Sequence, residues 1–125
     1  MHRITILFAA LAFLMLTATL ADAHARLEQA SPRVGSTVKA APRDVTLTFS
    51  QKLEPAFSRI EVRDASGARV DTGKATVSKT NPVEMTIAVK PLKAGTYRVF
   101  WHALSVDTHM TEGSFSFQVD SGQAE

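Results

Sequence analysis

From residue 44 onward, apolar and polar side chains alternate along the chain with a period of two. In DVTLTFS, Val45, Leu47 and Phe49 fall on one side and Thr46 and Thr48 on the other, the pattern of a strand with one face in a core and one in water. RIEVRD repeats it with Ile60 and Val62, EMTIAV with Met85, Ile87 and Val89, and KAGTYRVFWHAL with Tyr97, Val99 and Trp101. GSFSFQV sends Phe115, Phe117 and Val119 inward and Ser114, Ser116 and Gln118 outward. ARLEQA near residue 25 and KATVS from Lys74 to Ser78 are shorter candidates. Asp64 to Gly67, DASG, is a turn signal, and Pro32, Pro42, Pro55, Pro82 and Pro91 fall between the strands rather than within them. About seven short strands separated by turns predict an all-β, antiparallel, Greek-key, immunoglobulin-like β-sandwich. No amphipathic helix of ordinary length is predicted.

The first 23 residues break the pattern. MHR is a short basic start, Ile4 to Leu20 is an apolar run, and ADA places small residues at Ala21 and Ala23. This order predicts a secretory signal peptide over 1–23, cleaved after Ala23. A membrane anchor is the competing reading; the run is slightly short of the roughly 20 apolar residues a spanning helix needs, and no basic cluster follows it. The folded domain is then expected over 24–120, with 121–125 a frayed tail.

Composition narrows the function. The formal charge is +2 at pH 7, basic residues are scattered and aromatics few, so a nucleic-acid partner is not expected. The chain has no cysteine, which removes disulfides and thiolate metal sites together.

Cleavage after Ala23 would make His24 the first residue. A free α-amine and the Nδ1 of the same histidine can hold one metal in a six-membered chelate, which an internal histidine cannot do because its nitrogen is an amide. The amine's reference pKa of about 7.7–8.0 makes losing its proton cheap near neutrality. Asp107 and His109, in SVDTHMTEGSFSF, lie two apart and can point to one side if the segment is extended. Two nitrogens from His24, one from His109 and an Asp107 oxygen form a donor set that suits tetragonal Cu(II), one ion per chain; Zn(II), which prefers a tetrahedron, is the competitor. Binding is expected to weaken as pH falls through about 6, where imidazoles regain protons. Taken alone, an Asp-x-His pair also arises by chance on a solvated loop, and so does a histidine after a cleavage site.

The residues from His24 to Val119 resemble the CopC family, the copper resistance protein C domain of bacterial periplasms. HARLEQASPRVGSTVKAAPRDVTLTFSQKLEP is similar to the family's opening His-x-x-Leu, Ser-Pro, Gly, Ala-Pro and Leu-x-Phe-Ser pattern. GTYRVFWHALSVDTHMTEGSFSFQV is similar to its closing strand, Asp-x-His loop and Gly-x-x-x-Phe strand. The resemblance implies a cupredoxin-like or immunoglobulin-like sandwich in the periplasm, with Cu(II) at one end held by His24, Asp107 and His109. It also implies copper resistance or homeostasis, by sequestering or delivering the ion beside an inner-membrane, CopD-like copper transporter. Where some members carry a glutamate after Phe-Ser, this chain has Gln51, for which a hydrogen bond at most is expected. Some members also hold Cu(I) in a Met-rich loop; the matching segment here has no methionine or histidine, so no separate Cu(I) site is expected. Met85 reads as core and Met110 as a loop residue. His102 is expected to face opposite to Trp101, more as a supporting or surface residue than a ligand, and Glu112 is expected in solvent.

The alternative function is a histidine-brace copper monooxygenase acting on polysaccharide. Such an enzyme needs an open equatorial position and a flat aromatic surface. Asp107 would fill that position, and the Trp and Tyr sit at core positions of the alternation. The expectation is therefore a monomeric, non-enzymatic copper carrier.

Overall fold

The alternation becomes two sheets. A computed structural model of the chain describes residues 24–120; the predicted signal peptide and the tail at 121–125 lie outside the described residues. Among the described residues eight strands form, β1 (Leu27–Ser31), β2 (Thr37–Val38), β3 (Asp44–Phe49), β4 (Arg59–Arg63), β5 (Thr76–Val77), β6 (Glu84–Ala88), β7 (Gly95–Leu104) and β8 (Met110–Val119), with one 3-10 turn at Pro55–Phe57. One sheet has the order β1-β3-β6-β5 and the other β2-β8-β7-β4. Only β5–β6 and β7–β8 are joined within a sheet; every other connection crosses the sandwich. The all-β sandwich expected from the sequence is therefore the fold, with β2 the strand not foreseen. That strand is two residues long and pairs in parallel with β8 at Gln118 and Val119, too short to carry a period.

The inward positions of each strand fill the space between the sheets. Val45, Leu47 and Phe49 face Ile60, Val62, Val99, Trp101, Phe115 and Phe117, all buried. Met85 is fully buried, as its alternation required, and Trp101 meets Phe49 edge to face with ring centroids 5.1 Å apart. Gly113 sits opposite Trp101 in the β7–β8 ladder, and a Cβ there would lie 2.6 Å from the indole ring. The glycine is what lets the indole lie across β8. At the other end of β7, the Tyr97 hydroxyl donates to the Lys93 carbonyl at 2.6 Å, closing the turn that leads into the strand.

A strap at residues 68–72 ties the two sheets together along one side. It bridges to β4 through Arg63 and Arg69 and to the end of β6 through Asp71 and Val89. Asp71 is buried, and its carboxylate accepts the Val62 amide at 2.7 Å, the Gly73 amide at 2.8 Å and two guanidinium hydrogen bonds from Arg69. Burial works against its charge, but the Arg69 guanidinium and the two amides outweigh that and hold its carboxyl below the usual range.

Candidate metal centre

Three segments meet at one end of the sandwich: the chain entering β1, the residues leaving β3, and the turn between β7 and β8. The entering segment is pinned from both sheets. Ser50, after β3, donates its hydroxyl to the His24 carbonyl at 3.3 Å and accepts the Arg26 amide at 2.8 Å, while its own amide donates to the Arg26 carbonyl. From β8, the Thr111 hydroxyl donates to the Ala25 carbonyl at 2.7 Å. Ala25 is thereby buried between the sheets, and His24 is left exposed beside the β7–β8 turn.

That turn carries the other two predicted donors. Thr108 takes a left-handed backbone conformation, φ 73°, which for a β-branched residue is uncommon and costs about 1–3 kcal/mol. Its amide closes the turn onto the Ser105 carbonyl at 2.8 Å. The flanking side chains then meet, with His109 Nδ1 3.5 Å from Asp107 Oδ1 and both half open to solvent. These residues were expected to share a side if their segment between the two strands were extended; the segment is instead a tight turn, which still brings them together, and β8 starts only at Met110.

The His24 and His109 rings stack, with centroids 4.5 Å apart and planes 21° apart. The predicted donors are thus adjacent, His24 to His109 and His109 to Asp107. Among the described residues no three His, Cys, Asp or Glu side chains form a ready metal cage, and the stack gives a reason. Imidazole lone pairs lie in the ring plane, so face-to-face rings do not aim at a common point. Turning one ring about its side-chain bonds would let both nitrogens meet one ion. In the full-length chain the backbone nitrogen of His24 is a peptide nitrogen, so only its ring can offer a lone pair here.

Of the three expected donors, Asp107 is the one whose charge is best prepared. The Ser105 hydroxyl lowers its carboxyl most; desolvation opposes that, His109 adds to the lowering, and the carboxyl stays below the ordinary range. The carboxylate is therefore ionised across the neutral range, and an incoming cation meets a negative charge without displacing a proton.

The neighbouring candidates fall outside this cluster. His102 faces away from Trp101, as expected, and its Nε2 lies 2.7 Å from Glu112 Oε2 on the outer face of the sheet. Glu112 is exposed, yet it has this partner. Gln51 is half-buried just beyond β3, and Met110 is exposed at the start of β8. Three residues that the sequence reading passed over, Ser50, Ser105 and Thr111, make the hydrogen bonds that hold the donors. The available signal was local: Ser and Thr near turns bond to nearby backbone, and Ser105 stands two residues before Asp107.

The fold and the donors together define a β-sandwich with a histidine- and carboxylate-bearing pole. Comparison with known proteins gives the family: the CopC domain matches residues 27–120, and the chain belongs to the CopC family. It is 36% identical over 110 residues to "Copper transport protein CutJ" of Bacillus subtilis (strain 168), covering 87% of this chain but spanning 20% of that relative's length. It is 39% identical over 111 residues to "Copper resistance protein C" of Pseudomonas syringae pv. tomato, covering 84% of this chain and 87% of the relative. Among solved structures, CopC from Methylosinus trichosporium OB3b superposes with a TM-score of 0.74 at 37% identity, covering 78% of this chain and 94% of that one.

Proposed function

We propose that this protein is a periplasmic Cu(II) carrier that sequesters or delivers copper and takes one ion per chain. Export and cleavage after Ala23 free the amine of His24. The amine and Nδ1 of His24, a carboxylate oxygen of Asp107 and an imidazole nitrogen of His109 then surround the ion in a tetragonal plane. The observation that carries this reading is the contact between His24 and His109, which come from distant parts of the chain and meet only because Ser50 and Thr111 fasten the entering segment to both sheets.

Copper is cargo here. Both Asp107 and His109 are half open to solvent, so the ion can be taken up and handed on without opening the core. The names of the relatives, copper resistance protein C and copper transport protein, support this role. The partner we propose is an inner-membrane, CopD-like copper transporter, with the carrier itself monomeric. Enzymatic oxidation of a polysaccharide is disfavoured because Trp101 and Tyr97, its candidates for an aromatic platform, are buried in the core.

The test is to isolate the protein from the periplasm of cells grown with copper, measure its mass and count its metal. We expect a chain starting at His24 with one copper. A chain that starts elsewhere, or one that starts at His24 and carries no copper, would contradict the proposal.

A further inference from the structure

We propose that Ser105 is a positioning residue for the metal, its buried hydroxyl fixing both Asp107 and His109 on the turn between β7 and β8. The inference rests on the metal site proposed above and adds a residue to it. Ser105 has none of its surface exposed. Its hydroxyl donates to Asp107 Oδ1 and accepts the His109 amide at 3.3 Å, and it lies 3.2 Å from the His109 carbonyl. Its own amide donates to that carbonyl at 3.0 Å. A hydroxyl has one proton. Here the Asp107 carboxylate takes it, and a hydroxyl lone pair meets the His109 amide. One buried atom therefore touches both halves of the Asp-x-His motif.

The choice of acceptor is what separates this from turn closure. Thr108 already closes the turn through its amide to the Ser105 carbonyl. The Asp107 side chain is half exposed, so water would solvate it without the serine, and the bond adds little to the fold. What it does is select one rotamer. With Oδ1 engaged by Ser105, Oδ2 is the oxygen left for an ion. The entropy of ordering the carboxylate is then spent on folding rather than on binding, which is how a preorganised site gains affinity.

The experiment uses the processed protein beginning at His24 and titrates it with Cu(II) against a competing chelator, with thermal unfolding of the metal-free protein in parallel. We expect S105A to lose about 10–100-fold in affinity, the range typical of partners behind metal ligands, and to shift the copper electron paramagnetic resonance spectrum. S105T, which keeps the hydroxyl, should recover both. I87V, a core truncation in β6, should lower the unfolding temperature while leaving affinity and spectrum alone. If S105A does not fold, S105C, which keeps the side chain's size but donates only weakly, is read in its place. Unchanged affinity and spectrum in the serine variant that folds would overturn the role of Ser105 while leaving the site intact, as would an equal loss of affinity in I87V. A wild-type protein that gave no Cu(II) signal would overturn the site, and Ser105's role with it.

Discussion

One glycine placed ahead of His24 in the processed protein should lower its affinity for Cu(II) by at least ~100-fold, beyond what losing an outer partner of a metal ligand costs. The extension leaves every residue of the sandwich in place. It converts the His24 amine into an amide, which carries no lone pair for a metal at neutral pH without first losing a proton. The chelate ring through the amine is lost, and the Nδ1 of His24 must bind as an isolated imidazole. Because Ser50 and Thr111 hold His24 and Ala25 by their carbonyls, the extension disturbs neither anchor, and the metal-free protein should unfold at the native temperature. Competition titration of the two proteins reads the difference. Equal affinities would show that the amine is not a ligand.

Asp71→Asn should cost about 3 kcal/mol of stability, since hydrogen bonds to a charged group and buried ion pairs broken on one side are worth that much. For a domain of this size that lowers the unfolding temperature by roughly 10–20 °C. The four hydrogen bonds on Asp71 all come from donors, so an amide would turn an NH2 group toward donors it cannot bond. Arg69 is partly exposed, and water would share its stranded charge, which keeps the loss below the upper end for a fully buried pair. The pH dependence has a definite sign. The folded carboxyl of Asp71 titrates below its unfolded value, so its stabilisation is complete above the unfolded pKa of about 4. It is lost as pH falls from there through the folded value. The gap between wild type and D71N should be widest at neutral pH and close in acid; a gap that stayed constant down to pH 2 would rule out an ionised Asp71 as its source. Copper affinity at neutral pH should be unchanged, because the partners of Asp71 are Arg69 in the strap, Gly73 just after it and Val62 in β4.

The strands were legible because burial imposes a period, and every long strand has one. Val45, Leu47 and Phe49, or Tyr97, Val99 and Trp101, could be assigned to the core from spacing alone, and each is buried. The two-residue β2 could not, since its existence depends on backbone pairing with β8. The residues proposed as donors could be singled out by type and by resemblance to a family, but the route that brings Asp107 to His109 could not. An extended segment and a left-handed turn both juxtapose residues two apart, and nothing in the letters D-T-H marks Thr108 as the residue with positive φ. Ser105 was invisible for a related reason: one serine among many becomes distinctive only when its hydroxyl is seen buried beneath a carboxylate. The strap through Asp71 was likewise hidden, since an aspartate between Val70 and Thr72 reads as a surface loop until Arg69 and two amides close around it.

Electron paramagnetic resonance of the processed protein with one equivalent of Cu(II) tests the ligand set most directly. A tetragonal spectrum whose superhyperfine structure shows three equatorial nitrogens, with oxygen in the fourth place, is the predicted result. A spectrum with two nitrogens or fewer, or one unaltered by removing the imidazole of His109, would contradict it.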